Sequence, residues 1–112
     1  MNRGEVWWVE QPDAKRRPYL VLTRSRAIPV LERVMAVPAT STIRGIPTEV
    51  QLDERDGLAR TCVLSFDNIE TLPKWGFLEH IATLSDARMS EVCDALAAAA
   101  DCSDGHRFRW SV

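Results

Sequence analysis

The chain has little with which to build a nucleophilic or metal-dependent catalytic centre. Its 112 residues include two histidines, His80 and His106, and no G-x-S-x-G turn. A serine or cysteine nucleophile needs a general base beside it, so a protein-borne nucleophile is unsupported. A single histidine carries no spacing signal, and His80 reads as a surface or structural residue. The three cysteines, Cys62, Cys93 and Cys102, are odd in number and scattered. They match neither a zinc spacing nor a disulfide framework, and read as buried thiols in a reducing compartment. No H-E-x-x-H motif or carboxylate cluster stands out, so neither a metal nor a cofactor is expected. The five glycines are spread singly, which excludes a glycine-rich phosphate cradle. A signal-peptide pattern and an apolar run of membrane-spanning length are both lacking, and a cytoplasmic protein is expected.

What is present suits one small globular domain, expected over residues 1–105, with 106–112 as a tail. The formal net charge of −2 argues against a globally basic nucleic-acid binder. Charge is nonetheless uneven. From Ala14 to Leu31 there is no acid but five cations, Lys15, Arg16, Arg17, Arg24 and Arg26. One face of an otherwise acidic protein is therefore able to hold a polyanion.

The pattern of elements is mostly β. "EVWWVE" (5–10) predicts a first strand, "QPDAKRRP" a polar loop, and the apolar "YLVLT" (19–23) a buried second strand. "AIPVLE" is broken by Pro29 and reads as a loop or edge. "RVMAVPAT" (33–40), "TEVQL" (48–52) and "ARTCVLS" (59–65) predict three more strands, and "NIETL" (68–72) a short extended segment. No element is assigned between Leu72 and Ser85. Ser85 is a helix cap, and Met89, Val92, Cys93 and Leu96 form an apolar stripe running towards Asp101, with Gly105 as the stop. Five or six short strands and one late helix predict an antiparallel barrel or curled sheet with a helix packed at one end.

Two segments carry candidate chemistry. Arg17 directly precedes Pro18 and a buried strand, and the hydroxyl run Thr40, Ser41, Thr42 follows another strand. Each alone reads as an ordinary loop or self-satisfied turn. Together they offer a guanidinium fork and a directional hydroxyl, a good pair for phosphate. Such a pair suits RNA cleavage, because RNA carries its own nucleophile in the 2′-hydroxyl. The protein then has only to align the attack, remove a proton and stabilise charge on the phosphoryl oxygens, and arginine suits the last task.

"RGEVWWVE", "RRPYLVLT", "VPATST", "GIPTEV" and "LSFDNIETL", in this order over roughly residues 3 to 100, resemble the MazF/PemK family of toxin endoribonucleases. The resemblance implies an SH3-like barrel with a C-terminal helix, acting as a homodimer. It implies metal-independent cleavage of single-stranded RNA to 2′,3′-cyclic phosphate and 5′-hydroxyl ends, blocked by a MazE-like antitoxin. It assigns the key arginine to Arg17 and the key threonine to Thr40. Ser41, Asp67 and Asn68 are implied substrate contacts, joined by Lys15, Arg16 and Thr42 from the basic and hydroxyl runs. Glu70 stands where several relatives carry a basic residue. The same fold serves CcdB-like toxins that bind DNA gyrase without cutting RNA, and that alternative would depend on the C-terminal end, where Trp110 lies.

Overall fold

Alternation along the first strands places two sets of apolar side chains on opposite faces of one sheet. The computed structural model describes residues 1–102. Its strands are β1 (Glu5–Gln11), β2 (Ala14–Val21), β3 (Arg33–Thr40), β4 (Glu49–Leu52), β5 (Cys62–Ser65), β6 (Glu70–Pro73) and β7 (Phe77–Thr83). They form an antiparallel sheet in the order β4-β5-β3-β2-β1-β7, with β6 added on β3. The sheet curls into a half-barrel, and the helix α1 (Asp86–Ala100) packs on one face.

On the helix side, Val6, Leu20, Val37, Leu52, Leu64 and Phe66 meet Val92 and Ala95. Val9, Tyr19, Val21, Val34, Leu72 and Phe77 form a second, smaller core on the opposite face. Each fully buried aliphatic or phenyl group contributes roughly 1.5–3 kcal/mol relative to exposure. Of the remaining aromatics, Trp7 and Trp8 are half-buried, and Trp75 is 68% exposed.

Four features depart from expectation. The segment Ala14–Arg17 is strand, not loop: Arg17 pairs with Val9, and the hairpin turns at Pro12 and Asp13. Backbone pairing with β1 keeps it extended, while the charged side chains remain in solvent. Residues 77–83, for which the sequence pattern predicts no element, form β7. It pairs with β1 through residues 77–83, but Leu78, Glu79 and His80 are exposed, which hides the apolar signal. The expected strand at 59–65 begins only at Cys62. The buried stripe of α1 is Val92 and Ala95 flanked by Met89, Leu96 and Ala99; Cys93 faces solvent, as does Cys102, so only Cys62 is a buried thiol.

Ser85 caps α1 as expected, its Oγ accepting from the Arg88 N–H at 3.2 Å. The helix stops at Asp101 in the left-handed region (φ 55°), a conformation that aspartate tolerates. Gly105 and the tail 106–112, with His106 and Trp110, lie outside the described residues. Among the described residues no helix is long and apolar enough to cross a membrane.

Candidate functional site

The register of β2 and β3 creates the site. Tyr19 pairs with Pro38, Leu20 with Val37 and Val21 with Ala36. Continued by one like-facing position, that register sets Arg17 across from Thr40. The ladder ends there, beside two prolines, Pro18 and Pro38, which lack amide hydrogens. Where the strands part, two concavities open, and Arg17 and Thr40 line both.

The larger groove has a volume of about 780 Å³. One wall is Trp8, Lys15, Arg16, Arg17 and Pro18; the other is the segment from Gly57 to Cys62, with Ile81 of β7 nearby. Its lining holds the cations Lys15, Arg16, Arg17 and Arg60 and no acid, although the whole chain is net negative. The Arg16 guanidinium lies 5.6 Å from the centre of the Trp8 ring, a cation–π contact that steadies a flexible side chain. Arg17 forms no ion pair among the described residues, so its charge is available to a ligand.

The wall opposite is braced from the helix. Arg88 donates to both oxygens of Asp56, at 2.9 and 3.1 Å. Asp56 in turn accepts from the Asp53 N–H, closing a capping box around the short turn Glu54–Asp56. The Arg88 fork holds the Asp56 carboxyl below its usual range. Gly57 follows at φ 95°, and a Cβ there would sit 2.8 Å from the Ala82 methyl of β7.

The smaller cleft, about 320 Å³, is lined by Arg17, Pro38, Thr40, Thr42, Arg44, Ser65, Asn68 and Glu70. The Thr40 hydroxyl accepts from the Thr42 N–H at 3.3 Å, which leaves its own hydrogen to donate. Asn68 Nδ2 donates to Ser65 Oγ at 2.7 Å. The Tyr19 hydroxyl donates to Glu70 Oε2 at 2.6 Å and accepts from Gln11 Nε2 at 3.0 Å. Burial, then the bond to the Glu70 carboxylate and its charge, push the Tyr19 hydroxyl up to about 12. The loop carrying Arg44 is shaped by Glu49, whose Oε1 accepts from the N–H groups of Arg44 and Gly45 at 2.9 and 3.0 Å.

Most of the expected residues therefore converge. Lys15, Arg16 and Ser41 line the larger groove, Thr42 and Asn68 the smaller cleft, and Arg17 and Thr40 both. Asp67 lines neither; its Oδ2 accepts from the Thr48 hydroxyl at 2.6 Å. Arg24 and Arg26 lie outside both. Arg60 and Arg44 were not expected. Arg44 follows the hydroxyl run by two residues, a signal of proximity; Arg60 has no sequence signal, since the turn before β5 brings it in. His80 is structural, its ring bonded to Ala82 O and Thr83 Oγ1 and tilted against Trp7.

A model for the PemK-like, MazF-like toxins of type II toxin–antitoxin systems matches residues 2–100. Probable endoribonuclease MazF5 of Mycobacterium tuberculosis is 41% identical over 102 residues, 90% of this chain and 94% of the relative. The solved M. tuberculosis toxin MazF-mt6 superposes with a TM-score of 0.82 at 32% identity, covering 88% of this chain and 98% of its own. A mycobacterial endoribonuclease solved in complex with its cognate antitoxin superposes at 0.83 with 30% identity, covering 92% and 97%. Family match, sequence identity and fold agree, and the chain belongs to the PemK-like, MazF-like toxin family of type II toxin–antitoxin systems.

Proposed function

We propose that this chain is a toxin endoribonuclease that cleaves single-stranded RNA without a metal, working in the cytoplasm as a homodimer. The observation that carries the reading is the pair Arg17 and Thr40 at the meeting of a cationic groove and a polar cleft. The RNA backbone runs along Lys15, Arg16 and Arg60, and the scissile phosphate sits between the Arg17 fork and the Thr40 hydroxyl. There the adjacent 2′-hydroxyl gives up its proton and attacks phosphorus, while the 5′-oxygen leaves and takes up a proton, giving a 2′,3′-cyclic phosphate and a 5′-hydroxyl. Arg17 stabilises the charge that builds on the phosphoryl oxygens, and the rigid β2 backbone holds it aimed before substrate arrives. DNA lacks the attacking hydroxyl and is spared. Ser41, Thr42 and Asn68 hold the flanking nucleotides. An acidic or extended segment of a MazE-like antitoxin would cover the same groove, in keeping with the antitoxin complex of a relative. The catalytic unit spans residues 1–105, and the tail 106–112 is dispensable for the chemistry.

The test is incubation of the purified protein with mixed-sequence RNA in excess EDTA, mapping both ends of the fragments. Cyclic-phosphate ends, absent with Arg17→Ala, are expected. Intact RNA after exposure to folded wild-type protein would overturn the reading and turn attention to a gyrase-type protein target.

A further inference from the structure

The smaller cleft contains one feature that phosphate binding does not use. Its volume of about 320 Å³ is that of roughly ten waters, the scale of a single base rather than a base pair. Its lining includes the donors Arg17, Thr40 and Arg44. It also includes the Glu70 carboxylate, which would repel a phosphate. Glu70 is fixed in place, because the Tyr19 hydroxyl donates to its Oε2 at 2.6 Å. Tyr19 is itself fixed, 2% exposed and bonded to Gln11. The other oxygen, Oε1, makes no hydrogen bond among the described residues. A single carboxylate oxygen is thus left available in a cleft that adjoins the reacting phosphate.

We infer that Glu70, positioned by Tyr19, reads the nucleobase beside the scissile phosphate and selects bases that carry an amino group. This rests on the ribonuclease reading and deepens it. Single-stranded RNA is read on the exposed edges of its bases. Adenine, cytosine and guanine each present an exocyclic N–H to a carboxylate, as in carboxylate recognition of the cytosine amine. Uracil presents an N–H flanked by two carbonyl oxygens, which a carboxylate repels. Among the described residues Glu70 forms no ion pair with Arg17, which leaves that guanidinium for the phosphate. One good contact of this kind discriminates by about tenfold or more.

The experiment compares cleavage-site profiles of wild type, Glu70→Gln and Tyr19→Phe on a randomised RNA. It adds binding to uncleavable 2′-deoxy oligonucleotides that differ at one base. Wild type should disfavour uracil about tenfold or more at one position next to the cut. Glu70→Gln replaces one acceptor by a donor that uracil carbonyls accept, so uracil should rise at that position alone. Tyr19→Phe frees the carboxylate and should blur the same position while keeping the fold. Cleavage with identical base preference in all three proteins overturns the inference and leaves the ribonuclease reading intact. A base-dependent binding difference lost in Glu70→Gln, without any cleavage, supports the inference and overturns the ribonuclease reading instead.

Discussion

Arg17 and Thr40 lie just beyond the last β2–β3 pair, Tyr19 with Pro38, and both line the larger groove and the smaller cleft alike. Removing the guanidinium leaves the strand pairing with β1 in place. Arg17→Ala should therefore abolish cleavage with an unchanged melting curve. Arg17→Lys keeps charge but loses the fork, and should remain about a hundredfold or more below wild type. Thr40→Ala should slow cleavage by about tenfold or more, the loss of one directional donor. Single-turnover cleavage rates check all three, and full activity in Arg17→Ala or Thr40→Ala would refute the assignment.

Salt dependence separates cations in the groove from those outside it. In an inactive background, binding of single-stranded RNA should weaken with salt in proportion to the phosphates neutralised. Lys15→Ala or Arg60→Ala should each reduce the log–log slope by about 0.7. Arg24→Ala, whose side chain lies outside both concavities, should leave the slope unchanged. Fluorescence anisotropy across a salt series reads this directly, and equal slopes for Arg60→Ala and wild type would remove Arg60 from the RNA path.

Tyr19 is the chain's one tyrosine, so its ionisation can be followed by tyrosinate absorbance without interference from another. Its midpoint should lie near 12, above the ordinary 10. Because the folded state holds the proton more tightly, this contribution to stability is complete below pH 10 and is lost as pH rises through about 12. Glu70→Gln removes the neighbouring charge and should lower the midpoint. An ordinary midpoint in folded wild type would mean that Tyr19 does not hold Glu70.

Asp56 gives the opposite pH dependence. Its carboxyl titrates lower in the folded chain because the Arg88 fork favours the ionised form. Stability from this pair is therefore present above the unfolded pKa and disappears as pH falls through the folded one. Arg88→Ala leaves a largely buried carboxylate without its partner and should cost about 1.5–3 kcal/mol. Thermal melts of Arg88→Ala and wild type should converge at low pH, and a constant gap across the acid range would contradict the pairing.

Gly57→Ala tests the groove wall itself. The left-handed backbone and the 2.8 Å approach to Ala82 both oppose a methyl group. Destabilisation of about 1 kcal/mol or more is expected, together with weaker RNA binding as Leu58 to Cys62 shift. A neutral substitution would show that the wall is softer than the packing implies.

Much of this architecture was legible in residue order. Val6, Leu20, Val37 and Val92 fall where alternation and helical spacing place them, and Ser85 caps as its chemistry dictates. Arg17 and Thr40 were legible because strands and prolines bracket them. Three things were not. Lys15 to Arg17 read as loop because charge masks a strand whose stability comes from its partner. Residues 77–83 were missed because an edge strand with one wet face lacks clean alternation. Arg60 and Arg44 join the site through turns, and spacing along the chain says nothing about where a turn delivers its side chains.

The pairing of β7 with β1 ties the last strand of the described residues to the first. A growing chain that has reached only Gly76 already contains Arg17, Thr40 and Glu70. It lacks the strand whose Ile81 borders the groove and whose Ala82 abuts Gly57. The exposed edge of β1 then waits for residues 77–83, a long-range pairing that folds late. RNA binding by chains truncated after Gly76 should accordingly be lost. An agent that attacks RNA thus gains its finished groove only once residues 77–83 have joined the edge of β1, well after Arg17 and Thr40 have been made.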